Sequence, residues 1–369
     1  MPLAPLEGFR IGITADRRRG ELADLLHRRG ATTLIGPTLA TRFLPDDSHL
    51  ELLTRDLVAN PPDVVVANTG VGIRAWFEAA QAWGLVDDLR LACGQAHVIA
   101  RGPKAVAALR VAGVETNAEA ETERLDEVAA LLRERGVRSA RVVVQLHGSD
   151  DLPLVTELER AGAEVTPVPV YQWELPEDLR PARRLIESVV DGGVDAVTFT
   201  SAPAVRNFFA LADEQGLGAC VRGVARSDVV IACVGPVCAE AAIAAGIPHP
   251  VAPNSGRLGL LIRVLADALR QHSVRMSIGS REVVVQGRSV SIVGQEGSAL
   301  LARRELGVFR LLAARPGVVV GKPRILREVW GFNAGDLHVV EVTLTRLRRR
   351  IAPLGLSVVT VRGRGLRLQ

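Results

Sequence analysis

The chain has 369 residues, of which 48% are hydrophobic, with 35 glycines and 20 prolines. This excludes a single small domain and reads as two or three globular domains punctuated by loops. The formal net charge of +4 conceals an asymmetry: from Val274 onward 17 Lys and Arg face 6 Asp and Glu, a net of +11 that leaves −7 for the residues before it. A basic module on an acidic body implies a polyanionic partner for the tail and a solvated surface for the rest.

At the start, Pro2, Pro5 and Glu7 precede no basic segment with an apolar run behind it, so a cytoplasmic protein without a secretory signal is expected. The front half is duplicated. Asp195 to Leu217 lies over Asp63 to Leu85 without a gap at a shift of 132, pairing Val65 with Val197, Arg74 with Arg206 and Gly84 with Gly216. The same shift lays 11–37 over 143–169, and a shift of 133 superposes Gly102-Pro103 on Gly235-Pro236. In each copy an apolar run, Val64–Ala67 or Ala196–Phe199, predicts a buried parallel strand. A small-residue turn follows, Asn68-Thr69-Gly70 or Thr200-Ser201-Ala202, then an amphipathic helix ending near Gly84 or Gly216. Alternating strands and helices imply doubly wound parallel sheets, whose ligands sit at the carboxyl ends of strands.

Candidate ligand groups therefore lie at these turns: Thr69, Thr200 and Ser201, the run Arg17, Arg18 and Arg19 after the first strand, and Arg101 with Lys104 beside Gly102. Guanidinium groups can clamp carboxylates, although each of these cations also fits a solvated loop. His147 reads as a turn residue rather than a base. Cys93, Cys220, Cys233 and Cys238 form no C-x-x-C pair, so buried free thiols are expected and no metal. The apolar stretch from Val229 to Ile247 is broken by Pro236 and Glu240 and is no membrane span.

On ITADRRRGELADLLHRRGA, GAEVTPVPVYQW, VTFTSAPAVRNF, CVGPVCAEAAIAAG and APNSGRLGLLIRVLADAL, the stretch from Gly8 to Ala268 resembles uroporphyrinogen-III synthase. The resemblance implies two doubly wound α/β lobes, one from 1–38 and 172–268 and the other an insert at 39–171, with a linker at 269–275. It implies a cleft between the lobes where hydroxymethylbilane is cyclised without a cofactor, and it makes Tyr171 the cleft tyrosine, catalytic if activity is retained. Two departures count against activity: Ala105 and Cys238 stand where the family usually places the threonine of a G-x-x-T-A turn.

In the tail, Met276–Ile278, Glu282–Val285 and Arg288–Ile292 predict three short strands. Helices are expected over about 302–314, 322–330 and 336–351, then a hairpin of 358–361 and 366–368 across an arginine-bearing turn. ELGVFRLLAARPGVVVGKPRILREVWG, HVVEVTLTRLRRRI and VVTVRGRGLRL resemble the winged helix-turn-helix effector domain of OmpR/PhoB response regulators, over 276–369. By position in that motif, Arg346 reads a base, Val339 and Val342 make apolar contacts, Thr343 and Arg348 touch phosphate, and Arg362 enters the minor groove. Ala302 and Leu366 depart from the usual Thr and Tyr, with looser packing expected. No receiver domain is recognised, so control by phosphorylation is not expected.

The resemblances together imply a transcription regulator with a synthase-like sensor. The fused architecture resembles actinobacterial regulators of nitrate and nitrite assimilation. Expected partners are double-stranded DNA, a small anionic or tetrapyrrole-related ligand in the inter-lobe cleft, and a partner regulator. Two alternatives stand beside this reading: a bifunctional protein that retains synthase activity, and a regulator whose front half binds only proteins.

Overall fold

A computed structural model describes residues 3–43, 48–146, 148, 153–331 and 337–369. His147 and Asp336, the first residue of the third expected tail helix, lie outside the described residues. The chain forms two compact units, Met1–Leu39 with Pro176–Gln369, and Ala40–Leu175.

Unit 1 opens with strands β1 (Arg10–Ile13) and β2 (Thr32–Ile35). Unit 2 carries β3 (Ala40–Phe43), β4 (Val64–Ala67), β5 (His97–Ala100), β6 (Ala118–Glu119), β7 (Arg141–Gln145), β8 (Glu164–Val168) and β9 (Tyr171–Glu174). Unit 1 then resumes with β10 (Ala196–Phe199) and β11 (Val230–Cys233). The unit 1 sheet runs β11-β10-β1-β2 and the unit 2 sheet β6-β5-β4-β7-β8, every neighbour parallel. Laid out by the sequence repeat, β10, β11, β1 and β2 correspond to β4, β5, β7 and β8. A bridge from Ala232 to Val251 occupies the place of β6. The strand order is thus the same in both copies, but unit 1 is split because unit 2 is inserted between β2 and β10. Strands β3 and β9 pair antiparallel as a separate ribbon in unit 2.

Central strands β4 and β10 are buried at all four positions, as helix-covered parallel sheets require. Each is followed by an extended residue whose hydroxyl caps the next helix. Thr69 Oγ1 accepts from the Gly72 amide at 3.1 Å, and Ser201 Oγ from the Ala204 amide at 3.4 Å. Those helices, Gly70–Ala82 and Ala202–Glu214, also end identically. Gly84 and Gly216 take φ of +71° and +70°, and the amides of Leu85 and Leu217 reach back to the carbonyls of Ala80 and Ala212 at 2.8 Å. Only a residue tolerant of the left-handed region closes a helix this way.

The rest of unit 1 is the basic tail. Strands β12 (Val274–Ile278), β13 (Arg281–Gln286), β14 (Ser289–Ile292) and β15 (Ser298–Leu300) form an antiparallel sheet. Helices Arg303–Ala313, Lys322–Trp330 and His338–Ile351 follow, then the hairpin of β16 (Val358–Val361) and β17 (Gly365–Leu368). One core unites these elements, with Phe309, Ile325, Val340, Leu347 and Leu366 fully buried. The sheet has a fourth strand that the sequence pattern did not separate, since β15 is three residues long beside Gly294 and Gly297. Contrary to the expected loosening, Leu366 is enclosed in the core and its backbone exchanges hydrogen bonds with Val320 at 2.8 and 2.9 Å. At Ala302 the loss is real but partial. The methyl cannot accept the cap bond, yet Glu305 still takes the Ala302 amide at 2.7 Å.

Regular structure occupies both ends of the expected linker: helix Leu258–Arg270 runs in, and β12 starts at Val274. The tail is also docked on the N-terminal segment. Gln286 Nε2 donates to the Ala4 and Glu7 carbonyls at 2.9 and 3.0 Å, the Arg288 amide to Gly8 at 2.8 Å, and Ser298 Oγ to Glu7 Oε1 at 2.7 Å. Among the described residues no helix is long and apolar enough to cross a membrane.

Candidate functional site

The helix His338–Ile351 turns Val340, Leu344, Leu347 and Ile351 into the core. At about 100° per residue, the same winding gathers Val339, Val342, Arg346 and Arg349 on one exposed arc opposite. Short apolar side chains with two arginines suit the floor and walls of a major groove. Arg346, Arg349 and Arg362 make no side-chain hydrogen bond or ion pair with any described residue. Arg362 and Arg364 flank Gly363, φ +70°, at the exposed tip between β16 and β17.

The remaining arginines of the helix are engaged internally. Arg348 donates through Nε to the Val358 carbonyl and through Nη2 to Thr360 Oγ1, both at 2.7 Å. Arg350 donates to the Leu300 carbonyl at 2.7 Å and lies 3.1 Å from the buried Glu305 carboxylate. Thr343 donates its hydroxyl to the Val339 carbonyl at 2.8 Å. Hence Arg348 and Thr343 can meet phosphate only with what their internal bonds leave. Arg349, which motif position alone did not single out, shares the exposed face of Arg346; counting the helical angle from the buried stripe would have found it.

In unit 2 the turns after β4 and β5 meet each other and the last residue of β7. The Thr69 amide donates to Gln145 Oε1 at 2.9 Å, and Thr69 Oγ1 accepts from Tyr171 Oη at 3.3 Å. The Tyr171 ring is buried, with Phe43 and Trp173 each 6.2 Å away between centroids. Arg101 leaves β5 beside this pair. Burial holds its pKa below the usual guanidinium value, opposed by nearby Tyr171 and Glu123. Lys104 opens the next helix, whose backbone approaches so closely that a Cβ on Gly70 would lie 2.1 Å from the Lys104 carbonyl oxygen. Thr69, Arg101, Lys104 and Tyr171 are thus brought together.

Arg17, Arg18, Arg19, Thr200 and Ser201 belong to unit 1, at the carboxyl ends of the adjacent strands β1 and β10. The arginines are exposed, and Arg18 and Arg19 already face carboxylates. Arg18 holds Glu21 bidentately at 2.6 Å, a bond that raises its own pKa and lowers that of Glu21, and Arg19 lies 3.6 Å from Asp16. At the two departures from the threonine pattern, Ala105 presents a buried methyl and Cys238 a buried thiol directed at the Phe199 carbonyl, 3.6 Å away. The thiol of Cys233 is pushed up by its hydrogen bond with Cys238 and by burial, and burial alone pushes Cys93 up to about 12. These are inert thiols. Cys220, expected to be buried, is exposed. Among the described residues no cluster could hold a metal ion.

A family model described as uroporphyrinogen-III synthase HemD matches residues 20–262, and one described as transcriptional regulatory protein, C terminal, matches residues 295–368. The Bacillus subtilis protein YjjA is 32% identical over 261 residues, 71% of this chain and 96% of that protein. The heme response regulator HssR of Staphylococcus aureus is 28% identical over 117 residues, 30% of this chain and 51% of its own length. Among solved structures, a mutant uroporphyrinogen III synthase from Thermus thermophilus superposes with a TM-score of 0.60 at 30% identity, covering 71% of this chain and 99% of that one.

Proposed function

The chain belongs to the uroporphyrinogen-III synthase family through residues 20–262 and ends in an OmpR/PhoB-type DNA-binding domain, and from that premise we propose a one-component transcription regulator whose synthase-like part senses a ligand. One observation carries this reading: Val339, Val342, Arg346 and Arg349 form an exposed helix face beside a wing tipped by Arg362. A solvated helix has no need of that combination, whereas duplex DNA does. Arg346 reads a base edge, the valines contact thymine methyls, and Arg362 enters the minor groove. Thr343 and Arg348 contribute to the backbone.

For the targets we propose genes of nitrate and nitrite assimilation. Support comes from the resemblance of the fused architecture, and from the chemistry of nitrite reductase, whose sirohaem derives from uroporphyrinogen III. Genome-wide capture of DNA bound by the protein tests this. Enrichment at such genes supports it, and enrichment confined to unrelated genes refutes the target while leaving DNA binding intact.

A second reading, retained synthase activity, is favoured by the Tyr171–Thr69 bond beside Arg101. The missing hydroxyls at Ala105 and Cys238 weigh against it, because a polycarboxylate substrate is bound by donors.

A further inference from the structure

Where the tail docks on the front part of unit 1 lies a cavity of about 690 Å³, within the size range of small-molecule sites. Five of its lining residues are arginines, Arg10, Arg288, Arg303, Arg304 and Arg310, against two acidic ones, Asp195 and Glu328. Glu328 already has a partner outside these five, since Arg324 donates to it at 2.6 Å. Asp195 accepts the Arg10 amide at 2.7 Å, and burial raises its pKa although Arg288 and Arg310 are near. None of the five arginines forms an ion pair with a described residue. Arg288 and Arg304 each give a donor to a backbone carbonyl, of Leu301 and Val329, and Arg304 also lies over the Trp330 ring.

Local physics makes the cluster costly by itself. Arg303 and Arg304 occupy the first turn of helix Arg303–Ala313, where the backbone dipole already presents positive charge. Arg310 lies two turns on and lines the same cavity. Positive groups converging in excess of their counter-charge are relieved by an anion, and guanidinium forks bind carboxylate or phosphate oxygens bidentately.

We propose that this cavity binds a small polyanion bearing several carboxylate or phosphate groups, gripped by Arg303 and Arg310 from the DNA-binding side and by Arg10 from the front domain. The wall that Arg10 and Asp195 provide comes from β1 and the residue just before β10, while Arg288, Arg303, Arg304 and Arg310 come from the tail. A bound polyanion therefore bridges the two and stabilises their docked arrangement. The site is separate from the Tyr171 cluster of unit 2 and does not depend on the function proposed above.

Calorimetric titration of the full-length protein with citrate and with inorganic tripolyphosphate tests this, the two probes distinguishing a carboxylate from a phosphate ligand. One-to-one saturable binding of either is expected. It should weaken at least tenfold in Arg303→Ala/Arg310→Ala and persist in Arg303→Lys/Arg310→Lys. The pair Arg183→Ala/Arg184→Ala, which removes equal charge from an exposed helix face elsewhere in unit 1, should leave it unchanged. Failure of both probes to saturate, or equal weakening in both alanine pairs, would overturn the proposal. Displacement of the probe by an unrelated DNA duplex would also overturn it, by assigning these arginines to the phosphate backbone.

Discussion

Arg348 Nε donates to the Val358 carbonyl at 2.7 Å, so the helix proposed to read DNA is joined to the wing by one of its own arginines. With the second bond to Thr360, this fixes the angle between the two elements that would enter neighbouring grooves. Arg348→Ala is therefore expected to weaken binding on every sequence alike and to speed hydrogen exchange of the amides in 358–368. Slower or unchanged exchange would show that the wing is held by its core residues alone.

Arg346 and Arg349 lack such ties. Arg346→Ala should cost about 1–3 kcal/mol on the preferred site and relax preference at one base pair. Stability should change by no more than about 0.5 kcal/mol, as for exposed positions generally. Leu344→Ala, half a turn away on the buried side, should instead destabilise the fold by about 2–5 kcal/mol. Denaturant melts paired with binding curves separate the two classes.

Much of this was legible in the residues. The runs Val64–Ala67 and Ala196–Phe199 became strands with those bounds, because four consecutive apolar residues between turn signals fit a sheet covered on both faces. The stripe of Val340, Leu344, Leu347 and Ile351 was legible for the same kind of reason, a local period. Long-range partners were not. Nothing near Arg350 announces Glu305, 45 positions earlier, and nothing near Gly8 announces Arg288. Likewise the arginines of the cavity are scattered from Arg10 to Arg310, so only the fold assembles them.

Docking of the tail on the N-terminal segment depends on Gly8. It holds φ +82°, and a Cβ there would lie 2.4 Å from the Gln286 carbonyl and 2.5 Å from the Ser289 amide nitrogen. Gly8→Ala is thus expected to separate the tail from the segment and expose 271–273 to limited proteolysis, with the tail core intact. Protection equal to that of the parent would show that the contact yields without parting.

Synthase activity is expected to be weak or absent, because neither Ala105 nor Cys238 supplies the hydroxyl of the turn. Conversion of hydroxymethylbilane to the type III isomer at about 1 per second or faster would contradict this. Tyr171→Phe removes the bond to Thr69 and should cost about 0.5–1.5 kcal/mol of stability. If the unit 2 cluster binds an anionic or tetrapyrrole-related ligand, this variant should also reduce the thermal shift that the ligand produces in the parent.

Regulation through DNA is tested most directly by the affinity of the full-length protein for a captured duplex, measured against salt. Each phosphate neutralised by an arginine releases counterions, so log K should fall with log salt by about 0.9 per contact. The expected result is a steep fall, with a clear preference over a scrambled duplex that Arg346→Ala diminishes. Affinity independent of salt, and equal on captured and scrambled duplexes, would contradict it.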